Sequence, residues 1–123
     1  MTRSAAFALA FALALSSTGC KKRQKAAVKD EPVEKMTTDE VKRSEDACNA
    51  YVERVCTCAK TVPAAADACT KAQAQPEAIK LALEVAASPD SKPVVVKQSL
   101  DGVRKIVKEC IEQTAKLPSL GCP

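Results

Sequence analysis

A chain of 123 residues with seven cysteines, no histidine, no tryptophan and a formal net charge of +4 has room for one small domain. Without histidine it lacks the side chain most used for proton transfer near neutral pH, and no nucleophile–base pair, phosphate loop or paired-carboxylate motif takes its place, so catalysis is disfavoured. Its aromatics are Phe7, Phe11 and Tyr51, too few for base stacking, which argues against nucleic acid as a partner.

The first segment has Arg3 as a short basic region, an apolar run from Ala5 to Leu15, and then Ser16-Ser17-Thr18-Gly19-Cys20. The apolar run is about half of the roughly 20 residues a spanning helix needs, so a retained transmembrane anchor is not expected. On these residues the segment resembles the bacterial lipoprotein precursor class, with Ser17 where that class favours Leu. The resemblance implies a signal peptide over 1–19, removed by a type II signal peptidase, and lipidation of Cys20 by a diacylglycerol and an N-acyl chain such as palmitate. An ordinary signal peptide cut near Ser16 or Thr18 is the alternative, and would leave Cys20 as an odd thiol in an oxidising space. No other cofactor is expected.

Residues 20–37 read as a charged tether. Lys21 to Thr37 carries six basic residues against three acidic ones, whereas Thr38 onward carries twelve of each, so the net charge sits in the tether. With Pro32 and no strong apolar periodicity, the stretch is expected to be a disordered or extended tether, holding the domain roughly 20–25 Å from its anchor as a flexible coil and further if charge repulsion extends it. Lys21, Lys22, Arg23 and Lys25 lie beside the lipid, where each could add up to about 1 kcal/mol on an anionic surface. Lys21 in place of Asp after Cys20 favours the outer membrane, facing the periplasm.

From residue 38 to 123 the pattern is helical. Thr37 and Glu40 stand in capping-box spacing ahead of the apolar series Val41, Cys48, Val52, Val55 and Ala59, which predicts a helix from Thr38 to about Lys60. Pro63 ends it and opens a second helix to about Gln75, and Pro76 either starts a third to about Ala87 or kinks a single longer one. Ser88 to Pro93 is a loop. Val96, Leu100, Val103, Val107, Cys110, Thr114 and Leu117 alternate steps of four and three, the seam of a last helix that Pro118 ends. Gly102 beside that seam marks either a close helix crossing or a tolerated surface glycine. Lys105/Lys108 and Glu109/Glu112 belong to a solvated face. The expected fold is all-α, a small disulfide-stapled bundle of three or four helices.

The core available is thin, mostly Ala and Val, so covalent staples are expected to carry a large share of stability. Apart from Cys20 the cysteines are Cys48, Cys56, Cys58, Cys69, Cys110 and Cys122, an even set suited to three disulfides with 15 possible connectivities. Cys56 and Cys58 lie near a helix C-terminus and point about 200° apart, which suits bonds to two different neighbours. The closely spaced pairs resemble twin-cysteine helical hairpins, but the seven residues between Cys48 and Cys56 and the ten between Cys58 and Cys69 break that family's equal spacing, and nothing of it is carried over. A four-helix arrangement makes the outer helices antiparallel and predicts Cys48–Cys110, Cys56 or Cys58 with Cys69, and the remaining one with Cys122, whose tail must then fold far back. A three-helix arrangement makes the outer helices parallel and predicts Cys56–Cys110, with Cys48 meeting the tail. The first has the slight preference.

Two functions remain open. One is a membrane-anchored envelope lipoprotein acting as a non-catalytic interaction or structural module, with an envelope protein as partner. The other is a thiol-based module handling a soft metal such as Cu(I), or exchanging disulfides, through Cys56 and Cys58. As a whole the chain resembles the small, Ala-rich, cysteine-containing helical lipoproteins of bacterial envelopes.

Overall fold

The computed structural model describes residues 32–123, so the expected signal peptide, Cys20 and the first part of the expected tether lie outside the described residues. Pro32 to Thr37 has no regular secondary structure. Helix α1, Thr38–Ala59, opens on a complete capping box: the Thr37 hydroxyl accepts from the Glu40 amide at 3.2 Å, and the Glu40 carboxylate accepts from the Thr37 amide at 2.7 Å. Those reciprocal bonds satisfy two of the donors that every helix start leaves without partners. The negative charge held on Glu40 also suits the positive pole of the helix.

Pro63 starts a 3-10 turn, Pro63–Ala65, that runs into the short helix α2, Ala66–Ala72. A break at Gln73 and Ala74 separates α2 from α3, Gln75–Ala87, with Pro76 in its first turn, where a missing amide proton costs nothing. After the loop, Pro93 opens α4, Pro93–Lys116, and a second 3-10 turn, Leu117–Leu120, follows it. No strand occurs among the described residues, and no helix there is long and apolar enough to cross a membrane.

These segments form three arms. α1 runs in one direction, α2 and α3 return along it, and α4 runs back in the direction of α1. The return is shown by Cys56 bonding to Cys69 while the Cys110 sulfur, bonded to Cys48, lies 3.3 Å from the Gln75 side-chain oxygen: an earlier residue of α1 meets a later residue of the middle arm. The sense of α4 follows from Cys48–Cys110 and Cys58–Cys122, whose numbers rise together along the chain. These bonds are the pairs of the preferred scheme, with Cys56 joined to Cys69 and Cys58 to Cys122, but their order along the chain corrects its antiparallel outer helices. It also corrects the parallel alternative, which set Cys56 level with Cys110. The loop over residues 88–92 and the first turns of α4 extend beyond the level at which α1 begins, so Cys110 reaches only as high as Cys48.

The core runs along the axis between the arms. Ile79, Val55, Val103 and Leu117 are fully buried, and Cys48 and Cys110 are buried with them. Burying each of the four aliphatic side chains contributes roughly 1.5–3 kcal/mol. The α4 seam lies as its periodicity predicts, with Leu100, Val103, Cys110 and Leu117 buried and Val96, Val107 and Thr114 half-buried. In α1 the buried stripe is Ser44, Cys48, Tyr51, Val55 and Cys58, while Val41, Val52 and Ala59 stand at its margin. Ser44 is tolerated inside because its hydroxyl donates to the Glu40 carbonyl at 2.7 Å. Gly102 marks no close crossing, since a Cβ built there meets nothing within 4 Å.

Candidate functional site

The six cysteines of the domain form three disulfides, with Cα–Cα separations of 5.1 Å for Cys48–Cys110, 4.8 Å for Cys56–Cys69 and 5.5 Å for Cys58–Cys122. All three lie inside the span that a disulfide bridges without moving backbone. Two of them join α1 to α4 or to the tail after it, and only Cys56–Cys69 ties the middle arm to α1. Cys56 and Cys58 diverge as two positions on one helix turn must, one toward α2 and the other toward the C-terminal tail. They do not form a shared thiol pair. Among the described residues no cluster of three or more His, Cys, Asp or Glu side chains is arranged to hold a metal ion.

The C-terminal tail reaches Cys58 without folding far back, because α4 already points that way. It turns at Gly121, whose φ is +86°, with the Gly121 amide donating to the Pro118 carbonyl and the Cys122 amide to the Leu117 carbonyl, both at 3.1 Å. This is a Schellman turn, and it favours glycine because an L side chain is disfavoured at that φ. The Arg54 guanidinium donates to the Pro123 carbonyl at 3.3 Å, and the Cys58 carbonyl accepts from the Thr61 and Val62 amides. The end of α1 and the end of the chain are thus locked into one knot around a buried sulfur pair.

The disulfides differ in access. Cys48 and Cys110 are 0% exposed, Cys58 is 5% and Cys122 is 4%, whereas Cys56 and Cys69 are both only half-buried. The Gln73 side-chain amide lies over this outer bond, donating toward the Cys69 sulfur at 3.8 Å and the Cys56 sulfur at 3.9 Å. The flanking turn and α2 are held mainly by small side chains, with Ala65 and Ala72 buried and Ala68 half-buried.

A second feature is a groove of about 600 Å³ between α1 and α4, near the end of α1 where the tether joins. Met36, Ala47, Val107 and Ile111 supply its apolar lining, and Glu40, Arg43, Arg104, Lys108 and Glu112 supply its charged rim. Ile111 is 57% exposed there. Sequence periodicity assigned Lys108 and Glu112 to a solvated face, and they do pair at 3.8 Å in solvent, but they also border this depression. The signal available was Ile111 itself, an apolar side chain four residues beyond Val107 and adjacent to the buried Cys110.

The electrostatics near this face are local. Hydrogen bonds from the Thr37 backbone and side chain hold the Glu40 carboxyl below its ordinary value, and a hydrogen bond from Lys97 does the same for Asp101, which also pairs with Arg104 at 3.2 Å. Burial raises the Tyr51 phenol, with the charge of Glu109 adding to it. Exposed pairs such as Lys42–Asp46 and Lys97–Asp101 are screened by solvent and contribute little. No protein-family model, curated protein or solved structure matches the chain.

Proposed function

We propose that this protein is a lipid-anchored component of the bacterial envelope, in which the helical domain serves as a non-catalytic interaction or structural module. One observation carries the reading: all six cysteines after residue 37 are consumed in intrachain disulfides, so Cys20 is left as the odd member of seven. Stable disulfides belong to an oxidising compartment, which fits export. An odd cysteine directly after Ser-Ser-Thr-Gly fits the lipid attachment site of a lipoprotein, and several acyl chains give stable anchoring where one gives only marginal binding. The chain has no histidine for proton transfer, and the groove between α1 and α4 offers an apolar floor with a mixed-charge rim, a surface suited to contact with another envelope protein. The outer membrane, with the domain facing the periplasm, is the location we assign.

Mass spectrometry of the native protein tests this reading. A mature N-terminus at Cys20 carrying diacylglycerol and an acyl chain, with partition into detergent, is the expected result, and Cys20→Ala is expected to stop maturation at the lipidation step. An unmodified N-terminus at or before Cys20 overturns the proposal. A soft-metal role through Cys56 and Cys58 would first require opening two separate disulfides.

A further inference from the structure

We propose that Cys56–Cys69 is a thiol–disulfide exchange site, open to attack by an external dithiol, while Cys48–Cys110 and Cys58–Cys122 are inert structural bonds. This inference stands apart from lipid anchoring and depends only on how the three bonds are placed.

Exchange requires a thiolate to approach a sulfur in line with the bond, so access divides the three bonds. Both sulfurs of Cys56–Cys69 belong to half-buried residues at the corner between α1 and α2, and the four other cysteines are at most 5% exposed. The cover over the outer bond is the side chain of Gln73, itself exposed and at the C-terminal end of α2, so it can swing aside without disturbing the core. Its amide donates weakly toward both sulfurs and is positioned to stabilise negative charge that develops on the one that leaves.

The direction of attack follows from the helix that carries Cys56. Cys56 lies in the last turn of α1, which contains no basic residue, so a thiolate there faces the negative pole of a 22-residue helix. Cys69 also lies near a helix C-terminus, but α2 has only seven residues and carries Lys71 in its last turn, which makes Cys69 the better leaving group of the two. The incoming thiolate therefore forms a new S–S bond with the Cys56 sulfur, the Cys56–Cys69 bond breaks, and its electron pair leaves on the Cys69 sulfur, which takes a proton from solvent. The second thiol of the dithiol, as thiolate, then attacks its own sulfur in the mixed disulfide and displaces Cys56. The dithiol is oxidised to a disulfide, and Cys56 and Cys69 are reduced to thiols by the same two electrons and two protons.

Opening this bond has a confined structural effect. The other two disulfides keep α1, α4 and the tail joined, while the turn and α2 lose their covalent tie and retain only small buried contacts at Ala65 and Ala72. The corner over residues 63–75 is the part released.

The test is timed exposure of the folded, full-length mature protein to dithiothreitol at neutral pH, with acid quench, alkylation and peptide mass spectrometry. Cys56 and Cys69 are expected to take label at least about tenfold faster than the other four cysteines, since about 1.4 kcal/mol of local opening to reach a buried sulfur already slows attack by that factor. Hydrogen exchange is expected to quicken over residues 63–75 while α1 and α4 stay protected. With a monothiol in place of dithiothreitol, the trapped mixed disulfide is expected on Cys56. Simultaneous labelling of all six cysteines, or earlier opening of Cys48–Cys110 or Cys58–Cys122, overturns the proposal, and a mixed disulfide on Cys69 overturns the assigned direction. A Cys56→Ser/Cys69→Ser variant is expected to lose the fast phase and keep the slow one; a fast phase that survives in it also overturns the proposal.

Discussion

Replacing both members of the buried pair, Cys48→Ala with Cys110→Ala, tests whether two disulfides along parallel helices reinforce one another. Taken alone, Cys48–Cys110 closes a loop of 62 residues, for which the chain-entropy relation gives about 4.3 kcal/mol. Cys58–Cys122 closes almost the same loop, with a separation of 64. With that bond intact, Cys48–Cys110 constrains only the circuit from Cys48 to Cys58 and from Cys110 to Cys122, about 22 residues, and its entropic share falls to about 3.4 kcal/mol. Each fully buried sulfur also fills core volume, and its loss adds about 1 kcal/mol by analogy with deleting a buried methyl group. The expected loss for the pair is about 5 kcal/mol, against a total of roughly 5–14 kcal/mol for 92 ordered residues. Guanidinium unfolding followed by far-ultraviolet circular dichroism measures it, with thiol titration confirming that the remaining bonds are closed. The Cys58→Ala/Cys122→Ala variant shares the same circuit and is expected to show a similar entropic loss. Removing both bonds is expected to leave no cooperative transition. A loss below about 1.5 kcal/mol for Cys48→Ala/Cys110→Ala would refute both the circuit and the packing argument.

Three further perturbations probe local physics. Gly102→Ala is expected to raise stability by about 0.5–1 kcal/mol in the same unfolding assay, because the site has open space for a Cβ and glycine weakens a helix interior; destabilisation would mean a close contact exists there after all. At Gly121, change to Ala is expected to cost about 1–2 kcal/mol through its positive φ, read as a lower unfolding midpoint, and an unchanged midpoint would show that the Schellman turn is not needed to seat Cys122. The depressed Glu40 carboxyl adds stability that is present above its unfolded value, near the ordinary 4.5, and is lost as pH falls through its lower folded value; melting curves between pH 6 and 3 are expected to show an acid loss that Glu40→Gln reduces, and identical pH profiles would reject the capping-box contribution.

Local chemistry made much of this domain legible before any tertiary contact is considered. The capping box at Thr37 and Glu40, the stops at Pro63 and before Pro93, and the seven-residue rhythm of α4 act through neighbours a few residues away, so helix positions and buried faces follow from them directly. Periodicity misplaced the centre of the α1 stripe because it weighted Val41 and Val52 over Tyr51 and Cys58, whose burial depends on what packs opposite. The all-α class and the even cysteine set were likewise readable from the chain. The direction of α4 against α1 was not, although the slightly preferred scheme, Cys48–Cys110 with Cys69 and Cys122 shared between Cys56 and Cys58, names the bonds that the structure contains. A heptad seam states which face turns inward and is silent on axial stagger, and a shift of two helical turns exchanges Cys48 for Cys56 opposite Cys110. That stagger is set by how far the loop over residues 88–92 and the first turns of α4 project past the start of α1. The same parallel arrangement decides that the tail meets Cys58 through a single turn at Gly121, that Ile111 comes to line a groove with Met36, and that Cys56–Cys69 is the one bond left near solvent.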